Sequence, residues 1–163
     1  MTRIVTVFAA MVMVALTASP EQQTDYSGIW KMDSSRSESA HQGTPIGTVT
    51  LVITQTARDI SIVTETSKST EKLTYVLDGE EITINGASND PIKLKAHWDG
   101  NRIVAETARN INDATVTTIS VLTLNASGKE MTIDRTLTVQ HGYQSQDAKN
   151  TGKGKDVFIK IAK

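Results

Sequence analysis

The chain has 163 residues, with 17 basic and 18 acidic side chains and no cysteine. This length suits a single domain. The near balance of charges offers nothing that would attract nucleic acid or an anionic membrane surface. The absence of cysteine excludes disulfides, thiolate metal sites and a cysteine nucleophile. Stability must therefore come from an ordinary apolar core, which a domain of this size can build.

The first residues have the order of a secretory signal peptide. Arg3 gives a basic start, residues 4–16 form an uncharged, mostly apolar run, and small residues follow up to Ser19. The apolar run is short for a helix that crosses a bilayer. We therefore predict a signal peptide over residues 1–18, cleavage after Ala18, and a mature domain over residues 19–163. The mature protein is expected in the periplasm or outside the cell, without stable membrane insertion.

Apolar and polar residues alternate along most of the chain after Thr24, which is typical of half-buried β-strands. Turn signals separate these runs, among them Asp78-Gly79, interpreted as a hairpin, and Asp99-Gly100. The pattern predicts about ten short strands. Residues 34–47 and 140–156 are the only long connections expected.

Strands joined by tight turns are usually neighbours in space, so the pattern predicts an all-β antiparallel up-and-down meander. A meander leaves two exposed edges unless it closes on itself, and closing into a barrel removes them. A two-sheet sandwich is the alternative, although it normally needs longer crossover connections. The barrel is the leading prediction and the sandwich stays open.

The first predicted strand carries Gly28-Ile29-Trp30. This Gly-x-Trp motif resembles the signature of the lipocalin superfamily, and the Ser-Gly-x-Trp-Lys opening at residues 27–31 is similar to that of bacterial exported lipocalin-like proteins of unassigned function. The resemblance implies a lipocalin-like barrel in which Trp30 packs across the closed end against an arginine from a late strand. It also implies a structural role for Gly28.

Arg135 is the candidate for that arginine. It shares a strand face with Met131 and Ile133, which should be buried. A buried guanidinium needs a partner, and stacking on Trp30 would supply a cation–π contact. The alternative is a bulge or twist that lets Arg135 reach water.

A barrel of this size either fills with its own side chains or holds one small ligand. The residues expected to face inward near a ligand are Leu51, Tyr75, Leu94, Ile119 and Val121. Aromatic residues make up only 4% of the chain, so a small apolar or amphipathic ligand is expected rather than a flat ring system.

Catalytic and metal-binding patterns are missing from the sequence. His41, His97 and His141 have no spacing that makes them converge, and the carboxylates are typical of solvated strand faces. We predict no cofactor, no metal and no enzymatic activity. An interaction module with a filled barrel, making its contacts through the two long loops, remains an alternative, and a lipocalin-like enzyme is the third.

Overall fold

A computed structural model describes residues 23–38, 47–86, 89–142 and 150–162. The predicted signal peptide (residues 1–18) and His41 lie outside these ranges. The described chain contains ten strands: β1 (Gly28–Met32), β2 (Thr50–Gln55), β3 (Asp59–Glu65), β4 (Thr70–Val76), β5 (Asp78–Asn85), β6 (Pro91–Asp99), β7 (Arg102–Ile111), β8 (Ala114–Leu124), β9 (Glu130–His141) and β10 (Asn150–Ala162).

All ten strands belong to one antiparallel sheet with the order β4-β3-β2-β1-β10-β9-β8-β7-β6-β5. Pairing of β1 with β10 joins the first four strands to the last six. The sheet curls into a nearly closed barrel whose two edges, β4 and β5, are consecutive in the chain. The predicted all-β up-and-down barrel is confirmed, and the single sheet excludes the sandwich. Within the described ranges, no helix is long and apolar enough to span a membrane.

The predicted hairpin at Asp78-Gly79 is wrong. Both residues lie inside β5, where the register against β6 shifts between Asp78 and Glu81 and Gly79 has a φ of 85°. Leu77 alone separates β4 from β5, and its N–H donates to the carbonyl of Arg58 at 2.7 Å. One residue is too short a connection for a hairpin, and no backbone ladder joins β4 to β5 in the described chain. The gap in the barrel therefore lies between these two strands.

Most of the described residues of the second predicted long loop, residues 140–156, lie in strands. Residues 140 and 141 end β9, and β10 begins at Asn150. Gly152 and Gly154 pair with Leu137 and Arg135 on β9. Glycine and lysine alternate in this part of β10 and give no apolar signal, so the pairing with β9 must supply the stabilisation.

The closed end of the barrel is sealed by aromatic residues. Tyr26 and Trp30 are fully buried, and the Trp30 Nε1–H donates to the Tyr26 carbonyl at 2.9 Å. The Tyr26 ring also packs against Trp98 at a centroid distance of 6.2 Å. Its hydroxyl lies 2.9 Å from the carbonyl oxygens of both Asn101 and Leu122, and its single proton is donated to one of them or shared between the two. The aromatic rings at this end are therefore in contact with β6 and with the hairpin that follows it.

Gly28 is required by the close approach of β1 to β10. Its φ is 142°, and a Cβ at this position would lie 2.8 Å from the carbonyl oxygen of Ala162 and collide with the side chain of Lys160. Any larger residue would strain the backbone and push β10 away. The first residue of the Gly-x-Trp motif therefore permits the pairing that closes the barrel.

We expect stability to fall between about pH 10 and pH 12, and to fall less in Tyr26→Phe. Burial raises the pKa of Tyr26 from 10.0 to about 12. The folded state therefore holds the phenolic proton more tightly than the unfolded state, so stability is complete below pH 10 and declines as pH rises through the folded pKa. Urea unfolding from pH 8 to pH 12 measures the slope. Equal slopes for the parent and Tyr26→Phe, each normalised at pH 8, would contradict this expectation.

Candidate ligand cavity

A cavity of ≈ 370 Å³ lies inside the barrel, between the aromatic residues Tyr26 and Trp30 and the turn that joins β7 to β8. It extends from Leu51, Leu122 and Ile133, which are 1–3% exposed, to Ile111, which is 47% exposed. It therefore connects the apolar core with solvent. Its apolar lining consists of Leu51, Ile62, Leu73, Ala105, Ile111, Val116, Leu122 and Ile133, and its polar lining of Thr64, Glu71, Tyr75, Thr107, Arg109, Thr118, Ser120 and Arg135.

Two side-chain contacts cross the interior from β4 to β7. The Tyr75 hydroxyl lies 2.8 Å from Thr107 Oγ1, and the contact is buried. Nearer the mouth, Arg109 Nη1 and Nη2 lie 2.9 and 3.4 Å from the two carboxylate oxygens of Glu71. Burial raises the pKa of Tyr75. These contacts link the edge strand β4 to β7 through side chains, and no backbone ladder joins these two strands in the described chain.

A second ion pair lies deeper in the cavity wall. Arg135 Nε is 3.1 Å from Asp156 Oδ2, with side chains 33% and 1% exposed. The contact is an ion pair rather than an aligned hydrogen bond. Arg135 lines the cavity, and Asp156 is one of two buried polar residues in the described chain. A guanidinium therefore reaches the cavity with a carboxylate directly against it.

Of the five predicted lining residues, three face inward. Leu51 and Tyr75 line the cavity. Leu94 is fully buried in the apolar core cluster, and it is not among the residues that line the cavity. It faces the interior as expected, but neighbouring side chains cover it completely.

The predictions for Ile119 and Val121 are wrong in strand face. The inward residues of β8 are Val116, Thr118, Ser120 and Leu122. Ile119 points outward and is 37% exposed, and Val121 shares its face because successive side chains alternate. The strand carries apolar residues on both faces, so alternation alone does not decide which face is buried. Leu122 marks the inward face of β8, because its cross-strand partners, Ile103 on β7 and Ile133 on β9, are buried apolar residues.

Arg135 faces inward as predicted, but its expected stacking on Trp30 is wrong. Arg135 pairs with Gly154, whereas Trp30 pairs with Lys160, six positions further along β10. At about 3.3 Å per residue, that separation is roughly 20 Å. The cation at Trp30 is instead Lys160, whose Nζ lies 4.9 Å from the ring centroid.

The remaining histidines do not form a site in the described chain. His97 is exposed on the outer face of β6, and His141 ends β9. Within the part of the chain that the structure describes, no three His, Asp or Glu side chains are grouped so as to hold a metal ion.

Solved structures share this architecture. The REP1-NXSQ fatty acid transporter aligns over 83% of this chain and 96% of its own, with 15% identity and a TM-score of 0.51. Caenorhabditis elegans lipid binding protein 8 aligns over 86% of this chain and 100% of its own, with 12% identity and a TM-score of 0.55. Echinococcus granulosus fatty-acid-binding protein 1 aligns over 84% of this chain and 98% of its own, with 12% identity and a TM-score of 0.51. No family model and no curated protein sequence matches the chain.

The chain therefore has the fold of the lipocalin-like and fatty-acid-binding-protein-like barrels. At 12–15% identity, the likeness establishes the fold alone.

Proposed function

We propose that this protein is a non-enzymatic carrier that holds one small apolar or amphipathic molecule inside its barrel. The observation that carries the proposal is the ≈ 370 Å³ cavity that runs from the core to solvent. Its volume lies within the range of small-molecule sites, and its lining combines apolar side chains with a few polar groups, as such sites do. The solved neighbours named as lipid or fatty-acid binders support the same class of ligand.

The cavity favours this proposal over an interaction module with a filled barrel. A filled barrel would have packed the space between Leu51, Thr118 and Ile133 with larger side chains. An enzyme is disfavoured because the charged groups at the cavity, such as Arg109 and Glu71, neutralise each other instead of standing ready to exchange a proton.

We further propose that the protein is exported and acts in the periplasm or outside the cell. The support is the basic, apolar and small-residue order of residues 1–18. Intact-mass analysis of protein recovered from the envelope or medium of the native host tests it. A mass matching a chain that starts at Ser19 is expected, whereas a full-length chain in the cytoplasm would refute export.

The same preparation can identify the ligand. Native mass spectrometry of the protein purified from its own envelope should show a bound small molecule that is released on unfolding. Repeated recovery of unliganded protein that also fails to take up apolar probes would refute the carrier proposal.

Thr118→Trp is expected to weaken binding of the neutral probe N-phenyl-1-naphthylamine by about tenfold or more, because the indole would occupy cavity volume that the probe needs. Thr117→Trp is the matched control, since Thr117 is adjacent on β8 and faces outward. Fluorescence titration of the two variants and the parent measures the effect. Equal affinities for the two variants would show that the probe binds elsewhere.

A further inference from the structure

The two arginines of the cavity are each held by a carboxylate of the protein. Arg135 Nε lies 3.1 Å from Asp156, and Arg109 contacts both oxygens of Glu71. These four side chains sum to zero formal charge. The cavity therefore contains cations but no surplus of positive charge.

A carboxylate ligand would have to share an arginine with one of these protein carboxylates. At Arg135 the competitor is Asp156, which is 1% exposed and so has little water to screen it. Placing a second anion there costs both like-charge repulsion and desolvation. The Arg109–Glu71 pair is more exposed and would resist an anion less.

Hydroxyl groups lie beside the deeper arginine. Thr118 and Ser120 face the cavity from β8, and Ser120 is the direct cross-strand partner of Arg135. A hydroxyl can both donate and accept a hydrogen bond. These groups can therefore bind an alcohol, ester or amide without any change in net charge.

We propose that the ligand is an uncharged amphiphile, with an apolar chain and a hydroxyl, ester or amide end, rather than a carboxylate anion. The inference rests on the proposed carrier function and names its ligand class. The inner carboxylate Asp156 acts as the specificity element, because its negative charge already balances the guanidinium that would otherwise attract an anionic head group.

Displacement of N-phenyl-1-naphthylamine by decan-1-ol and by decanoate at pH 8 tests the proposal. We expect decan-1-ol to bind about tenfold more tightly than decanoate, and Asp156→Asn to raise decanoate affinity about tenfold while leaving decan-1-ol unchanged. Glu71→Gln should also raise the affinity for decanoate relative to decan-1-ol, by a smaller factor. This second variant still tests the proposal if Asp156→Asn fails to fold. Asp134→Asn, on the exposed outer face beside Arg135, should leave the ratio unchanged.

The possible results distinguish a wrong ligand class from a wrong function. Decanoate binding more tightly than decan-1-ol to the parent would overturn the uncharged-ligand inference while supporting a carrier. An acid-to-alcohol ratio that no folded carboxylate variant changes would also overturn it. Failure of the neutral probe, the alcohol and the acid to bind at all would instead refute the proposed function.

Discussion

Trp30→Ala is expected to lower the free energy of unfolding by about 3–5 kcal/mol, the range for deleting a large buried aromatic side chain. Trp30 is 0% exposed at the closed end. The substitution removes its packing, the hydrogen bond to the Tyr26 carbonyl and the ring beneath Lys160. Because the wall there is a closed backbone sheet, the space cannot collapse easily.

Urea denaturation followed by far-UV circular dichroism measures this loss without depending on tryptophan fluorescence. Trp30→Phe retains a buried ring and should lose less than half as much stability. Ile119→Ala, a truncation on the exposed outer face of β8, should change stability by less than about 1 kcal/mol. A Trp30→Ala protein that unfolds at the same urea concentration as the parent would refute the role of Trp30 as the plug of the closed end.

Arg135→Met is expected to cost about 3 kcal/mol, the lower part of the range for removing one partner of a buried ion pair. The Asp156 carboxylate is 1% exposed and would lose the guanidinium that lies against it. The lower part of the range applies because Arg135 is itself one-third exposed, so water already weakens the attraction.

The double variant Arg135→Met/Asp156→Leu separates the charge effect from packing. Replacing both charges by apolar side chains removes the buried carboxylate together with its guanidinium, and such replacements are often neutral or stabilising. We expect the double variant to recover to within about 1 kcal/mol of the parent in the same denaturation experiment. Single-variant costs that simply add in the double variant would contradict this coupling.

A double variant that regains the stability of the parent would also inform the question of which ligands the cavity binds. An ion pair that apolar residues can replace without loss of stability is not needed for folding. Its place in the cavity wall would then be consistent with the role in excluding anionic head groups proposed above, and the same double variant can be titrated with decanoate and decan-1-ol.

Much of the fold could be predicted because the strands of a barrel repeat a simple alternation. The long strand β8 and the turn at Asp99-Gly100 match the sequence pattern. The first half of β10 could not be predicted, because Gly152 and Gly154 give no apolar signal and only the ladder with β9 makes that segment a strand. The gap between β4 and β5 could not be predicted either, because the residue types of Asp78-Gly79 suit a hairpin turn and a β-bulge equally well.

The candidate site was less predictable than the fold. Inward facing was assigned correctly for Leu51, Tyr75 and Arg135, whose strands have apolar residues on one dominant face. It failed for Ile119 and Val121, because β8 is apolar on both faces and its register against β7 and β9 decides which one is buried.

By itself the sequence determined an all-β antiparallel meander, and it favoured a barrel with a glycine and a tryptophan at its closure and an arginine on the inner face. Only the tertiary structure decided the position of each side chain along the barrel axis. It placed Lys160 over Trp30 and set Arg135 about 20 Å away against Asp156. The physical reason is that alternation along a strand specifies the face of a residue, whereas its partners depend on the register between strands, which cross-chain pairing alone establishes.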